Sequence, residues 1–233
     1  MFKKLSILIP IYNEKNTILE CLKTVLEADV GSMELQVIIS DNNSNDGTKE
    51  ILSKINDPRV KILYRKKNNG KGANIKNALK EANGDLILFQ DGDLEYSPKD
   101  YPVLIEPFFK FNADVVYGSR LTRAKATSIV GFPNYIGNIL VTFFMNMLFN
   151  KIFTDIATGY KVFKKDVLKN IEIISDGFEI EPEITAKISR NKDIRIFEVP
   201  ITINSRSVRD GKKVKWWHFF TYLYHIVKWR FVK

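Results

Sequence analysis

Two carboxylates, Asp91 and Asp93, flank Gly92 directly after the apolar run Leu86-Ile-Leu-Phe-Gln90. At the end of an extended strand, alternate residues point to one side, so this spacing aims both acids into the same space. Close carboxylates repel one another unless a cation lies between them. Hard divalent ions such as Mg²⁺ or Mn²⁺ take oxygen ligands and usually hold substrate phosphates as well. A metal at Asp91 and Asp93 would offset the charge that grows on a departing diphosphate, with Glu95 offering a third oxygen. Taken alone, the same residues also describe a solvated Asp-Gly turn.

The elements that must carry these acids can be read from hydrophobic periodicity. Leu5–Ile11, Leu35–Ser40, Val60–Tyr64 and Leu86–Gln90 are apolar, strand-like runs. Helical patterns separate them: one carries Ile18, Leu22, Val25 and Leu26, a second spans Asp46 to Ile55, and a third spans Lys71 to Ala82. Thr17-x-x-Glu20 has the form of a capping box at the first helix start. The alternation implies an α/β fold: a mainly parallel sheet with right-handed crossovers and helices on both faces. In such sheets ligands lie at the carboxyl ends of the strands. The polar clusters sit there: Tyr12-Asn13-Glu14, Asp41-Asn-Asn-Ser44 and Asp91-Gly-Asp93. Farther on, Val115–Tyr117 and Ile194–Val199 read as strands and Glu179–Arg190 as a helix.

Composition narrows the class. With 233 residues, 45% hydrophobic and 27% charged, the chain has the balance of a globular domain. The single cysteine, Cys21, excludes an internal disulfide, falls on an apolar helix face and suits a reducing compartment. Met1-Phe2-Lys3-Lys4 leads straight into a strand, so no signal peptide is expected. Of the net charge of +9, residues 201–233 supply +7, a basic stripe suited to nucleic acid, anionic lipid or a pyrophosphate.

The order of the motifs carries more than any one of them. They run Ile9-Pro-Ile-Tyr-Asn-Glu14, Asp41-Asn-Asn-Ser-Asn-Asp-Gly-Thr48, Asn69-Gly-Lys-Gly-Ala73, Asp91-Gly-Asp-Leu-Glu95 with Pro98, Gly118-Ser-Arg120, Asp155-Ile-Ala-Thr-Gly-Tyr-Lys161 and Glu198-Val-Pro-Ile201, leading to Arg206 and Lys212. In this order, over residues 5 to 220, the chain resembles the inverting GT-A nucleotide-sugar glycosyltransferases, and among them dolichyl-phosphate mannose synthase and bacterial polyprenyl-phosphate hexosyltransferases. The resemblance implies a GT-A (Rossmann-like) domain over residues 1–200. Residues 201–233 would form a basic loop and an aromatic amphipathic helix, part of that domain or of a membrane interface. It also implies transfer of a hexose from a UDP- or GDP-sugar (GDP-mannose or a UDP-hexose) to a polyprenyl phosphate, with Mg²⁺ or Mn²⁺.

Carried over by residue, the resemblance places Pro10, Tyr12 and Glu14 in the first nucleotide-binding turn, with Tyr12 against the base. Ser40 and Asn42 fall at base and ribose. Asp91, Gly92 and Asp93 fall at metal and donor phosphate, with Glu95 as a further ligand. Arg120, Arg206 and Lys212 fall around the donor diphosphate and acceptor phosphate. Lys71 adds charge between two glycines that permit close backbone approach. Relatives usually carry two adjacent acids after the second strand, whereas this chain has Asp41-Asn42, and an amide both donates and accepts. The residue types leave plainer alternatives open: a surface ion pair for Arg120 and a solvated basic loop for Arg206 and Lys212.

Asp155 follows a charge-free stretch from Ala126 to Asn150, whose apolar part, Ile139–Phe149, reads as a buried or interface-lying helix. In relatives this region lies beside the acceptor. Asp155 would serve as base toward a hydroxyl acceptor, whereas a phosphate acceptor is already ionised; a helix cap is the plainer alternative. Glu181 and Glu183 either favour the positive end of a helix or face the acceptor. The tail Trp216–Phe231 holds all three tryptophans and both histidines and suits an anionic membrane surface, a core contact or a dimer surface. A peripheral enzyme on the cytoplasmic face of a membrane is expected. A soluble glycosyltransferase acting on a sugar or protein hydroxyl is the alternative, and the acidic motifs at strand ends argue against a nucleic-acid-binding module.

Overall fold

The computed structural model describes residues 2–122, 125, 128, 131–205 and 217–232. The sequence positions Arg206 and Lys212 therefore lie outside the described residues. In chain order the elements are β1 (Lys4–Ile11), α1 (Ile18–Leu26), β2 (Glu34–Asp41), α2 (Thr48–Leu52), β3 (Val60–Tyr64), α3 (Lys71–Leu79), β4 (Leu86–Phe89), a 3₁₀ turn at Pro98–Asp100, α4 (Tyr101–Lys110), β5 (Val115–Ser119), α5 (Phe132–Phe149), β6 (Lys161–Lys164), α6 (Lys165–Lys169), α7 (Ile180–Arg190), β7 (Ile196–Pro200) and α8 (His218–Phe231).

The strands form one sheet in the order β3-β2-β1-β4-β6-β5-β7. All neighbours are parallel except β6, which runs antiparallel to both β4 and β5. The apolar runs are continuous because the sheet is covered on both faces. Alternation along β1 sends Leu5, Ile7, Ile9 and Ile11 into a core with α1 and α4, whereas Leu8 faces a second core with α3, α5, α7 and α8. The mainly parallel, doubly covered sheet is the one expected from the alternating pattern. The antiparallel β6 was not: four residues with lysine at both ends give no clear strand signal.

Two local expectations change. Thr17 stands at the N-cap of α1 but makes no side-chain cap bond. Its hydroxyl lies 2.8 Å from Glu14 Oε2 and 2.9 Å from the Gly92 carbonyl instead. The helix expected over residues 46–55 is only Thr48–Leu52, because Ser44, Asp46 and Thr48 are engaged elsewhere. They accept hydrogen bonds from the backbone N–H groups of Asn13, Lys15 and Glu14 respectively, stitching the loop after β2 to the loop after β1.

The charge-free stretch forms a longer helix than its apolar centre suggests, with Pro133 in the first turn of α5. Val141, Met145 and Phe149 are buried, while Phe132, Ile139, Leu140, Phe143 and Met147 are exposed. Helix α8 packs beside α5. It buries Tyr222, Ile226 and Trp229 and exposes Phe220, Tyr224, Val227 and Phe231. Among the described residues, no helix is long and apolar enough to cross a membrane.

Candidate active site

A cavity of about 960 Å³ opens at the carboxyl ends of β1, β2 and β4 and extends between α5 and α8. Its polar floor holds Pro10, Tyr12, Glu14, Asn42, Lys71, Asp91, Gly92, Asp93, Glu95 and Arg120. Sequence positions as far apart as residues 10 and 120 thus meet in one place. Its other wall is apolar and aromatic, including Tyr135, Ile136, Leu140, Phe178, Phe219 and Tyr222.

Two predicted residues stand back from the cavity. Ser40 is on the same face of β2 as Ile38, so it points at α3 and not at the strand ends. Its hydroxyl donates to Asn74 Oδ1 at 2.5 Å, and its carbonyl accepts from Asn74 Nδ2. Asp155 is completely buried behind Arg120 and does not line the cavity. It is not a helix cap, since it lies in the loop between α5 and β6.

The Arg120–Asp155 pair is a planar fork. Arg120 Nε donates to Asp155 Oδ2 at 2.6 Å, Nη2 donates to Oδ1 at 2.8 Å, and Asn138 Nδ2 adds a third donor at 2.9 Å. Burial alone would raise the Asp155 carboxyl, but the guanidinium and these donors hold it below the usual carboxylate range. Glu198 of β7 fixes the loop by accepting from the backbone N–H groups of Thr154 and Asp155. The result is an arginine anchored from behind, with the rest of its donor fork facing the cavity.

Asp91 is fixed from two sides. Lys71 Nζ lies 2.7 Å from Asp91 Oδ1 and 3.1 Å from Glu181 Oε1, and Glu181 Oε2 pairs in turn with the fully buried Lys161. Burial opposes the charge on Lys71, yet Asp91 and Glu181 more than offset it and hold the ammonium protonated well above the ordinary lysine range. Burial likewise works against the Glu181 anion, but Lys161 and Lys71 keep its carboxyl low. Glu181 therefore faces the cavity as part of this charge chain, whereas Glu183 accepts from the backbone of Ile174 and Ser175 and from Lys187. On the other side Gly159 abuts Asp91: a Cβ there would lie 2.3 Å from Oδ2. Tyr96, whose hydroxyl accepts from Gly159 N–H, has its own pKa pushed up to about 12 by burial.

The glycines of Gly70-Lys71-Gly72 serve close approach, but to the protein itself. Gly70 has φ +103°, and a Cβ on it would meet Asp176 O at 2.4 Å. The first N–H groups of α3, from Gly72 and Ala73, donate to Gly177 O and Asp176 O. Lys71, not the helix terminus, is what this segment offers to a ligand.

Asp91 and Asp93 reach the cavity, and Leu94 beside them is held at φ +63°, an uncommon conformation for a branched residue. Glu95 lines the same cavity, but among the described residues no three acidic, histidine or cysteine side chains gather into one metal-holding group. Two carboxylates open to a large cavity still match a Mg²⁺ or Mn²⁺ site that takes its remaining ligands from substrate phosphates and water.

Residues 6–172 match the model of glycosyl transferase family 2. The chain belongs to that family. Among its relatives, a dolichol-phosphate mannosyltransferase of Pyrococcus furiosus is 31% identical over 237 residues, covering 97% of this chain and 64% of the relative. A low-salt glycan biosynthesis hexosyltransferase of Haloferax volcanii is 29% identical over 205 residues, covering 87% of this chain and 48% of the relative. The chain thus spans about half to two thirds of the length of these relatives. Among solved structures, glucosyl-3-phosphoglycerate synthase of Mycobacterium tuberculosis, in complex with Mn²⁺, uridine diphosphate and phosphoglyceric acid, superposes with a TM-score of 0.70 at 16% identity, covering 97% of this chain and 77% of that one. The family's GT-A fold is the fold described above.

Lys161, Glu181, Tyr96, Asn68 and Asn138 are site residues that sequence reasoning missed or left undecided. The Glu181–Lys161 pair joins two elements 20 residues apart and leaves no periodic signal.

Proposed function

We propose that this chain transfers a hexose from a UDP- or GDP-sugar to a polyprenyl phosphate at a membrane surface. The observation that carries this reading is one cavity with two chemistries: acids and cations at the strand ends, continuous with an apolar wall between α5 and α8. The apolar wall suits the hydrocarbon chain of a polyprenyl phosphate. The Pyrococcus relative, named for dolichol phosphate, supports the same acceptor class.

Asp91 and Asp93 would hold Mg²⁺ or Mn²⁺, whose chemistry when bound is to stabilise the departing diphosphate as a Lewis acid. Lys71 and Gly159 keep Asp91 in one orientation. Arg120, braced by Asp155, presents its remaining donors to the acceptor phosphate, a planar match for phosphate oxygens. The phosphate needs no base, and Asp155, buried and paired, serves as a positioning residue. The apolar wall excludes water from the transfer. The exposed stripes of α5 and α8 lie side by side without an acidic residue on either helix, which suits an anionic bilayer.

The test is sugar transfer to a short-chain polyprenyl phosphate, with UDP- and GDP-sugars and Mn²⁺ or Mg²⁺. Product is expected with the lipid phosphate and not with the free polyprenol or a soluble sugar. Transfer to a hydroxyl acceptor alone would overturn the proposal.

A further inference from the structure

Among the described residues five tyrosines are buried: Tyr96, Tyr101, Tyr117, Tyr160 and Tyr222. A buried tyrosine hydroxyl normally has a hydrogen-bond partner, and the first four have one. Tyr101 and Tyr160 both donate to Gln90 Oε1, at 2.8 and 2.7 Å. Tyr117 shares a bond of 2.9 Å with Thr185 Oγ1, and Tyr96 accepts from Gly159 N–H at 2.7 Å. Tyr222, in the second turn of α8 and 7% exposed, lines the cavity, and its hydroxyl has no hydrogen-bond partner among the described residues.

The Tyr222 ring belongs to the core that α8 shares with α5 and α7, together with Ile226 and Trp229 farther along the helix. On its outer side the same helix exposes Tyr224, Val227 and Phe231. The charged side chains that bear on the phenol are Glu181, Lys71, Arg120 and Glu179, and the first three line the same cavity. The hydroxyl therefore stands where the apolar wall of α5 and α8 gives way to the polar floor. Burial pushes its pKa up, and the two glutamates add to this against Lys71 and Arg120, so the phenol keeps its proton and is a neutral donor. A lipid phosphate whose chain lies between α5 and α8 and whose headgroup meets Arg120 changes from apolar to anionic at this level. An O–H donated to an anionic oxygen is among the strong hydrogen bonds. We infer that Tyr222 donates its hydroxyl hydrogen to the phosphate of the acceptor, together with Arg120, so that α8 faces the bilayer on one side and completes the acceptor site on the other. The inference rests on the polyprenyl phosphate reading of the cavity and adds to it a residue from beyond the segment that matches the family model.

Calorimetric titration with farnesyl phosphate, with farnesol, and with UDP and GDP in the presence of Mn²⁺ compares the wild-type protein with Tyr222→Phe. The substitution removes one oxygen that no described protein group holds, so the urea midpoint should not fall. Farnesyl phosphate should bind the variant at least about tenfold more weakly, the loss of a hydrogen bond to a charged group. Farnesol, which brings no charge, should change by no more than about threefold, and the nucleotides should bind both proteins alike. Equal affinity of the two proteins for farnesyl phosphate would overturn the inference. A loss as large for farnesol would do the same, since the hydroxyl would then not be reading the phosphate, and so would a loss confined to UDP or GDP, which would assign it to the donor. Failure of the wild-type protein to bind farnesyl phosphate at all would instead overturn the acceptor reading, and the inference with it.

Discussion

At the scale of single residues, buried charge is the dominant theme. Asp155, held low by Arg120, ionises in the folded protein below its unfolded value of about 3.9. A depressed carboxyl contributes stability that is complete above the unfolded pKa and is lost as pH falls through the folded one. Asp155→Asn should therefore flatten the acid limb of a urea-stability profile below about pH 5; an unchanged limb would show that the pair does not act this way. Lys161→Met removes one of the two cations that face Glu181 and should cost about 3 kcal/mol of unfolding free energy, the lower end of what breaking a buried pair costs, because Lys71 remains. Replacing Glu181 by Leu in the same chain should recover most of that loss while impairing sugar transfer, because the chain of charges that orients Asp91 is gone. If the double variant transfers normally, Glu181 has no positioning role. Motif order pointed to both Asp155 and Arg120, but burial is a property of packing. Nothing in the residue types distinguishes a catalytic acid at Asp155 from one sealed behind an arginine, or shows Ser40 turned toward α3.

Among the elements, the loops after β1, β2 and β4 are joined by side chains, so a change in one is felt in the others. Gly159→Ala places a Cβ against Asp91 Oδ2 and the Tyr96 ring. Transfer should fall at least about a hundredfold, the scale of loss from a 1 Å misplacement at a reacting centre. Mn²⁺ binding should weaken in parallel while the circular dichroism spectrum is unchanged; full activity would separate Gly159 from the positioning of Asp91. The apolar strands β1, β2 and β4 were legible because both of their faces are buried, which leaves long runs of branched residues. Their polar ends were legible because parallel strands deliver function to one edge. The capping box misled because the Thr17 hydroxyl reaches Gly92 and Glu14, tertiary partners that a local pattern does not contain. β6 was missed because its sheet position depends on β5 and β4 accepting a strand of opposite direction, information held far from residues 161–164.

For the molecule as a whole, the paired outer faces of α5 and α8 belong to the same body as the cavity between them. Phe143 and Met147 are each more than half exposed, and burying such a side chain is worth about 1.5–3 kcal/mol. Phe143→Glu with Met147→Glu should reduce sedimentation with anionic lipid vesicles by tenfold or more on this scale; undiminished binding would place the contact elsewhere. The contribution of Glu198 has a temporal meaning too. The segment bearing Asp155 is clasped by a residue of β7, and the lysine beside Asp91 is steadied from α7, whereas Asp91 and Asp93 lie earlier in the chain than either. On a translating ribosome the carboxylate pair therefore emerges before the groups that fix Asp155 and, through it, Arg120. A chain interrupted before residue 196 therefore carries Asp91 and Asp93 without the contact from Glu198 that fixes the segment of Asp155.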